Sequence, residues 1–245
     1  MSRYRNVITP TLHGPMIINR YDTGIGYIIS QEGSWDNNEV DLVRNLLARA
    51  VTDGSRMVIL DIGANIGSHT LAFARLPNAE VHAFEAQRLI FLMMAGTMAI
   101  NSLDNVYVYN RAVAEVSGLE ISFPAVNYDH PANFGALELA EARIKDFKGA
   151  RLAERMETVT TLCVDDLKLT DVRLIKVDVE GMEHRVLRGA QKTIARDRPF
   201  VYLEIHKTPE LEAISKLLTD LDYTFYKASD RDILATPREK ATFVH

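Results

Sequence analysis

The sequence predicts a single domain over residues 1–245, built on a parallel α/β sheet. The chain has 245 residues, of which 47% are hydrophobic and 25% charged, values typical of one globular domain with a sizeable core. From residue 57 onward, short apolar runs alternate with segments whose apolar residues recur at helical spacing. A glycine-bearing turn at residues 61–67 (D-I-G-A-N-I-G) joins the first run to the helix that follows it, as in parallel sheets.

Residues 1–56 are interpreted as an N-terminal cap segment. Residues 27–29 (Y-I-I) are predicted to form a short strand or part of a hairpin. Asp36 lies three residues before Glu39, a spacing that resembles a capping box with aspartate as the cap. Apolar residues at helical spacing over 40–50 predict the helix that follows, ending near residues 53–54.

The central part of the chain repeats strand, turn and helix three times. The runs at 57–60, 81–84 and 106–109 are predicted strands, and the first is expected to be buried on both faces, which is typical of parallel sheets. Helices are predicted at 70–74 and 89–101, and the second is apolar on nearly all sides and therefore expected to be well buried.

The pattern breaks after residue 112. A strand is predicted at 119–123, and residues 124–154 form an insertion around a short predicted helix at 137–144. A lid over an acceptor and a solvated loop without a specific role are equally good interpretations of this insertion.

Regular alternation then returns. Strands are predicted at 158–162, 174–177, 200–203 and 223–226, and a last piece near residues 243–244 is expected to close the sheet. One helix is predicted to bury Val186, Leu187, Ala190 and Ile194, and Thr208 with Pro209 begins another as cap and first helical residue.

Charge and composition limit the partners and the compartment. The formal net charge of −5 argues against a large non-specific surface for nucleic acid. The single cysteine, Cys163, cannot form an internal disulfide, which fits a reducing compartment. No apolar signal-peptide region is seen in residues 1–10, and the longest apolar run, 89–100, is shorter than the roughly 20 residues of a membrane span. We expect a cytoplasmic protein without a nucleic-acid partner; the oligomeric state stays open.

The turn at 61–67 predicts a cofactor site. Gly63 and Gly67 allow a sharp turn and close approach of a ligand. A dinucleotide site would show G-x-G-x-x-G, but Asn65 occupies the second glycine position, which disfavours an oxidoreductase. S-adenosylmethionine (SAM) has no phosphate, and its amino-acid tail carries an ammonium and a carboxylate. We expect Asp61 to bind the ammonium, and the loop N–H groups of Gly63, Ala64, Asn65 and Gly67 to bind the carboxylate.

Two further strand ends complete the predicted cofactor site. Glu85 ends the second strand, near the position where an acidic residue takes ribose hydroxyls in nucleotide-type sites. The third strand end, from Asn110 to Ala112, is expected to lie near the adenine.

Three segments together resemble a known family. They are 58–67, 175–183 (I-K-V-D-V-E-G-M-E) and 199–206 (P-F-V-Y-L-E-I-H), and their order resembles the FkbM family of class I SAM-dependent methyltransferases over roughly 58–206. The resemblance implies a Rossmann-like class I methyltransferase fold: a seven-stranded, mostly parallel sheet with helices on both faces and an antiparallel last strand. It also implies SAM as cofactor and an O-methyltransferase (EC 2.1.1 class) acting on a hydroxyl of a sugar, glycolipid or natural product. Residues 124–154 match the family least, which leaves the acceptor open.

Methyl transfer is an in-line displacement that depends mainly on alignment, and a hydroxyl acceptor also needs help to lose its proton. Asp178, Glu180, Glu204 and His206 all lie at predicted strand ends, which share one crevice. We expect Asp178 near both the SAM methyl group and the acceptor. His206 is expected to act as general base, and Glu180 and Glu204 to bind acceptor hydroxyls.

Alternatives remain for these residues and for the function. Glu180 could simply favour a helix start, His206 could be a surface cap, and His69 is interpreted only as lining the glycine loop. No metal site is predicted, because the available donors show no tight ligand spacing on one helix. An N-methyltransferase, a methyltransferase acting on a protein or lipid-linked glycan, and a SAM-binding module without turnover are the competing functions.

Overall fold

Two strands and two helices precede the main sheet in the computed structural model, which describes residues 4–136, 152–205 and 208–244. Strands β1 (Asn6–Thr9) and β2 (Met16–Asn19) pair antiparallel. Helices α1 (Ile25–Glu32) and α2 (Asn37–Ala50) follow.

The predicted strand at residues 27–29 is wrong, because these residues lie inside α1. Asp22 starts this helix by accepting hydrogen bonds from the N–H groups of Gly24 and Gly26, both at 2.9 Å. Ile25 and Ile29 lie one helical turn apart and pack against the same hydrophobic cluster. Three apolar residues in a row fit a strand and a buried helix face equally well, and tertiary packing selects the helix.

Helix α2 begins where the sequence predicted, but not by the predicted cap. Asp36 has a φ of 47°, in the left-handed region, and its side chain makes no capping hydrogen bond. The capping-box prediction is therefore wrong, and the helix ends at Ala50 rather than near residue 53. Val43, Leu46 and Leu47 of this helix pack onto the main sheet, which explains its position.

The first half of the main sheet follows the predicted alternation. It contains β3 (Met57–Ile62), α3 (Ser68–Phe73), β4 (Ala79–Phe84), α4 (Arg88–Ile100) and β5 (Val106–Tyr109), and the three strands are parallel. Every residue of β3 is buried, as its continuous apolar run predicts. Helix α4 is less enclosed than predicted, since Leu92 and Ile100 are exposed.

A small three-stranded sheet interrupts this alternation. Its strands are β6 (Ala112–Val113), β7 (Glu120–Val126) and β8 (Leu152–Leu162), with β8 in the middle. The insertion is therefore narrower than 124–154, because its two ends belong to β7 and β8. The helix predicted at 137–144 lies outside the described residues.

The second half of the main sheet contains further strands and helices, after a short 3₁₀ helix at Val164–Leu167. They are β9 (Val172–Val177), α5 (Glu183–Arg188), α6 (Gln191–Asp197), β10 (Phe200–Glu204), α7 (Thr208–Asp220), β11 (Tyr223–Lys227) and β12 (Asp232–Pro237). The single helix predicted after β9 is thus two short helices.

The strand predicted near residues 243–244 is also wrong. The last strand of the sheet is β12, and it is followed by a 3₁₀ helix at Arg238–Phe243. Phe243 and Val244 pack on the cluster that contains Leu46 and Leu47 of α2, so their apolar character serves a helix contact and not strand pairing.

The strand order across the main sheet is β11-β12-β10-β9-β3-β4-β5. The last strand, β12, is antiparallel to both of its neighbours, while β10, β9, β3, β4 and β5 are mutually parallel. Helices α2 and α3 pack on one face, and α5, α6 and α7 on the other. The predicted seven-stranded, mostly parallel fold with an antiparallel last strand is confirmed.

The chain leaves β3 toward β4 on one side and returns at β9 on the other. Such a reversal of strand order opens a crevice at the carboxyl ends of the two central strands, where ligands bind in open α/β sheets. Among the described residues, no helix combines the length and the apolar character that crossing a bilayer would require.

Candidate functional site

The glycine loop crosses directly over the end of β9. Gly63 has a φ of 82°, and a Cβ atom built on it would lie 1.7 Å from the carbonyl oxygen of Asp178. No side chain fits there, so glycine is required for the ends of β3 and β9 to approach this closely. Gly63 also lines the cleft that the two strand ends enclose.

The N–H groups of this loop donate to acceptors within the protein. Those of Gly63 and Ala64 donate to the carbonyl oxygen of Phe84 at 3.0 and 2.9 Å, and that of Gly67 donates to Ala64. The N–H of Asn65 donates to Oε2 of Glu85 at 3.1 Å. In this structure the loop therefore shapes the cleft and fixes Glu85, and its N–H groups are not free to receive a carboxylate.

Asp61 lies behind the loop and not in the cleft. Its side chain is fully buried, and Oδ2 accepts a hydrogen bond of 2.6 Å from the hydroxyl of Thr70 in α3. Burial raises the pKa of Asp61, against the opposing charge of Lys176. The structure thus places Asp61 where it ties β3 to α3.

A cleft of about 500 Å³ opens at the carboxyl ends of β3, β4 and β9. It brings together five of the residues that the sequence singled out. These are Gly63, Glu85, Ala112, Asp178 and Glu180. Other predicted residues do not line it, namely Asp61, Ala64, Asn65, Gly67, Asn110 and Glu204, and His206 lies outside the described residues.

Glu85 is the buried carboxyl group of the cleft. It is 7% exposed, and its two oxygens accept the N–H groups of Asn65 at 3.1 Å and Gln87 at 2.7 Å. Burial raises the pKa of Glu85 to about 7. Each oxygen retains a lone pair for a ligand. Asn110 supports this arrangement from behind, because its amide donates to the carbonyl oxygens of Glu85 and Ala86 at 2.9 and 3.0 Å.

Asp178 lies beside a buried lysine that sequence reasoning did not single out. Lys176 Nζ is 3.6 Å from Asp178 Oδ2, and the lysine side chain is only 5% exposed. Burial opposes the lysine charge, but the carboxyl groups of Asp178, Asp61, Glu39 and Glu204 outweigh it and raise the pKa of Lys176. The lysine therefore stays charged and holds the Asp178 carboxylate at the cleft.

Comparison with known proteins bears on the fold and the segments just described. Residues 61–225 match the family model described as the methyltransferase FkbM domain, which is well over half of the chain. The chain belongs to the FkbM methyltransferase family. The matched region contains the glycine loop, Glu85, Asp178 and Glu180.

Two curated relatives are similar to this member of the FkbM family. The 2-O-methyltransferase NoeI of Sinorhizobium fredii is 29% identical over 156 residues, which cover 60% of this chain and 62% of NoeI. The hexuronic acid methyltransferase AglP of Haloferax volcanii is 28% identical over 186 residues, which cover 74% of this chain and 68% of AglP. The chain thus spans about three fifths of the length of NoeI.

Solved structures agree on the fold of the FkbM-family chain. Methyltransferase FkbM from Methylobacillus flagellatus has a TM-score of 0.51 at 17% identity, covering 75% of this chain and 43% of that one. The METTL16 methyltransferase domain has a TM-score of 0.51 at 13% identity, covering 94% and 86%. At these identities the similarity shows a shared class I methyltransferase fold.

Glu183 fixes the loop that carries Glu180 into the cleft of this FkbM-family protein. Glu180 and Gly181 have left-handed φ values of 52° and 100°. The fully buried Glu183 holds this turn by accepting the N–H of Gly181 at 3.0 Å. Burial and the neighbouring carboxyl group of Glu210 raise the pKa of Glu183 to about 8. The final glutamate of K-x-D-x-E-G-x-E is thus a positioning residue, a role that the motif alone did not reveal.

The raised pKa of Glu183 predicts a pH-dependent stability. The folded protein keeps this proton up to about pH 8, whereas the unfolded chain releases it near 4.5, so the free energy of unfolding falls between these values. Glu183→Gln cannot ionise and still accepts the N–H of Gly181. Urea unfolding at several pH values should therefore show a flatter decrease for Glu183→Gln.

Other buried carboxyl groups contribute to the same decrease, since the pKa of Glu39 is raised to about 8 and that of Glu85 to about 7. In Glu183→Gln, the decrease in the free energy of unfolding with pH should consequently be reduced but not abolished. Glu212→Gln, at an exposed position of α7, is the matched control and should keep the wild-type slope. If the free energy of unfolding of Glu183→Gln decreases with pH as steeply as that of the wild type, the raised pKa of Glu183 is contradicted.

Gln87 connects the insertion to the cleft wall, and sequence reasoning missed it. Its Oε1 accepts a hydrogen bond from the hydroxyl of Tyr128, and its Nε2 donates to the carbonyl oxygen of Phe134, both at 2.9 Å. Arg111, which lies within the predicted strand end 110–112 but was given no role of its own, also lines the cleft. The position of Gln87, two residues after Glu85, was the available signal, because whole strand ends face the crevice.

A second cleft, of about 940 Å³, lies beside the start of α2. Asp36, Glu39, Tyr202 and Asp232 are among the residues that line it. Burial raises the pKa of both Asp36 and Glu39, and the charges of Asp232 and Asp178 add to this effect. Asp178, which lines the first cleft, therefore interacts electrostatically with residues of the second.

Proposed function

We propose that this chain transfers a methyl group from SAM to a hydroxyl of a sugar, glycolipid or natural product. The observation that carries the proposal is the buried Glu85 carboxyl group in a cleft at the switch point of an FkbM-family fold. The names of NoeI and AglP, a 2-O-methyltransferase and a hexuronic acid methyltransferase, favour a sugar among these acceptors.

The cleft has the chemistry that SAM requires. Glu85, Asp178 and Glu180 present carboxyl groups to a ligand whose sulfonium and ammonium exceed its single negative charge. Each Glu85 oxygen can accept one hydroxyl of a ribose diol in addition to its present backbone partner.

Apolar residues complete the fit to an adenosyl group. Ala112 and Val113, which follow β5, line the cleft together with Met182. Apolar lining with a few placed polar groups is typical of cofactor sites. Among the residues that the sequence proposed for cofactor binding, we assign direct contact to Gly63, Glu85, Ala112 and Asp178.

The remaining predicted residues then support the direct contacts. Asp61 and Asn110 fix the backbone around the cleft, and the N–H of Asn65 orients Glu85. Ala64 and Gly67 shape the turn through backbone hydrogen bonds.

Bound SAM supplies an activated methyl group, and the protein supplies alignment and proton handling. We assign Asp178 to the acceptor hydroxyl, because its side chain lines the cofactor cleft and Lys176 holds it there. Glu180, on the rigid turn held by Glu183, and Glu204, at the end of β10, are proposed to bind acceptor hydroxyls. His206, two residues beyond β10, is proposed as the general base.

The insertion is proposed to act as the acceptor lid. Gly135 lines the cofactor cleft, and Tyr128 is hydrogen-bonded to Gln87 of the cleft wall. The described beginning of the insertion therefore already touches the site, which supports the lid over a solvated loop.

A labelled-methyl survey tests the proposed function. The full chain is incubated with SAM carrying a deuterated methyl group and a panel of sugars, uronic acids, glycolipids and polyketides. We expect mass spectrometry to show one labelled methyl on a sugar, and NMR to place it on oxygen. A label on nitrogen would favour the N-methyltransferase alternative, and binding of S-adenosylhomocysteine without any product would favour a non-catalytic module.

A further inference from the structure

Three metal-binding side chains meet where α2 and α3 pack together. Asp36 precedes α2, Glu39 lies in its first turn, and His69 lies in α3. One ligand atom from each residue lies within 4.8 Å of the other two. The sequence predicted no metal site, because about 30 residues separate His69 from the two acidic residues and no ligand spacing on one helix indicates them.

The His69 ring points an unpartnered nitrogen into this group. Its side chain is 8% exposed, and within the described part of the chain Nε2 has no hydrogen-bond partner. The nitrogen is 3.6 Å from Oε2 of Glu39, too far for a hydrogen bond. The ring is also stacked on Phe73, at 6.0 Å between ring centroids, which fixes its direction. A buried polar atom without a protein partner is unfavourable unless a water molecule or an ion binds it.

Several carboxyl groups surround this site. Asp178 and Asp232 lie close enough to interact with Glu39, and Asp36 adds a third neighbouring carboxyl group. Lys176 opposes them with a single positive charge. A divalent cation bound here would offset the charge that these carboxyl groups carry when they are ionised.

We propose that Asp36, Glu39 and His69 bind a divalent first-row transition metal ion such as Mn²⁺ or Zn²⁺. Two carboxylates and one imidazole suit such ions better than Mg²⁺ or Ca²⁺, which prefer oxygen ligands throughout. In a tetrahedral site, metal–ligand bonds of about 2.1 Å place the ligand atoms about 3.4 Å apart. His69 Nε2 and Glu39 Oε2 are already 3.6 Å apart, so the closure of up to about 1.4 Å from the 4.8 Å limit falls on the exposed Asp36 side chain.

The position of the ion also suggests a role, which rests on the proposed function. Asp36 and Glu39 line the second cleft, so open coordination positions would face it. A sugar hydroxyl bound there would lose its proton more readily, and a vicinal diol would be oriented by the ion. The metal site itself is independent of this role.

Direct metal binding tests the proposal on the full chain without SAM or acceptor. Mn²⁺ is titrated and followed by electron paramagnetic resonance, and Zn²⁺ by equilibrium dialysis. We expect one saturable site in the wild type, and at least tenfold weaker binding in Asp36→Asn and in Glu39→Gln. Asparagine tolerates the left-handed φ of residue 36, so Asp36→Asn should fold normally even where substitutions of buried His69 do not.

Glu32→Gln is the matched control, because Glu32 is exposed, lines the same cleft and undergoes the same change of charge. It should bind Mn²⁺ and Zn²⁺ as tightly as the wild type. Absence of saturable binding at millimolar Mn²⁺ and Zn²⁺, or wild-type binding by folded Asp36→Asn and Glu39→Gln, overturns the proposal. Neither result affects the proposed methyl transfer, which the labelled-methyl survey tests separately.

Discussion

Glu85→Ala is expected to weaken the binding of S-adenosylhomocysteine about a hundredfold or more. In the proposed complex, the two oxygens of Glu85 accept both ribose hydroxyls. Hydrogen bonds to a charged group contribute about 1.5–3 kcal/mol each, and two of them at the lower end correspond to about two orders of magnitude in Kd. Isothermal titration calorimetry with S-adenosylhomocysteine at pH 8, above the pKa of about 7, measures this loss while the Glu85 carboxyl group is mostly ionised.

The control for Glu85 has to separate binding from folding. The carboxyl group also holds the N–H groups of Asn65 and Gln87, so Glu85→Ala should lower the unfolding temperature as well. Glu85→Gln keeps the shape of the side chain and one good hydrogen-bond acceptor. We expect this variant to fold and to bind S-adenosylhomocysteine at least about tenfold more weakly than the wild type. Glu120→Ala, at an exposed site of β7, should bind like the wild type. Wild-type affinity in a folded Glu85→Gln protein contradicts the assigned ribose contact.

Asp178→Asn is expected to lower kcat by about a hundredfold while the Kd for S-adenosylhomocysteine changes little, because this product lacks the methyl group beside which Asp178 is proposed to lie. Asparagine keeps the side-chain shape but not the charge that would bind the acceptor hydroxyl strongly, so the hydroxyl would lie less accurately in line with the methyl group. Misplacement of a reacting group by about 1 Å can lower a rate about a hundredfold. Turnover is measured as S-adenosylhomocysteine release with the acceptor that the labelled-methyl survey identifies.

Asparagine is a better replacement for Asp178 than an apolar residue, because Lys176 is buried beside this side chain. A remaining polar side chain and the carboxyl groups of Asp61, Glu39 and Glu204 still offset the lysine charge. Asp104→Asn, at an exposed turn, is the control and should retain full activity. A kcat near the wild-type value in folded Asp178→Asn would remove Asp178 from the proposed mechanism.

The same sequence reasoning selected Glu85 and Asp61 for the cofactor site, but only Glu85 lines the cleft. Glu85 could be chosen from sequence, since it directly follows a largely buried strand and residues at the ends of such strands face the crevice. Asp61 was chosen by the same reasoning, but its side chain turns back toward Thr70 and away from the cleft. Strand ends are visible in a sequence, whereas the direction of a side chain at that end depends on the helix packed beside it.

Local apolar runs also have limits as evidence. Residues 27–29 and 243–244 read as strands but belong to α1 and to the C-terminal end of the chain, where Phe243 closes a 3₁₀ helix. Short runs satisfy a strand and a helix face equally, and only the neighbouring core decides between them. Longer periodic segments such as α2 and α4 were predicted at nearly their full extent.

The sequence by itself determined the parallel sheet, the glycine turn after β3 and the acidic strand ends. Each of these features leaves a pattern in neighbouring residues, because a buried strand requires a run of apolar side chains and a sharp turn requires glycine. Only the tertiary structure decided which of those residues share the cofactor cleft. It also brought Gln87 to Tyr128, and His69 to Asp36 and Glu39. These contacts join segments far apart in the chain, and their partners are set by how helices and strands pack together, which no local pattern records.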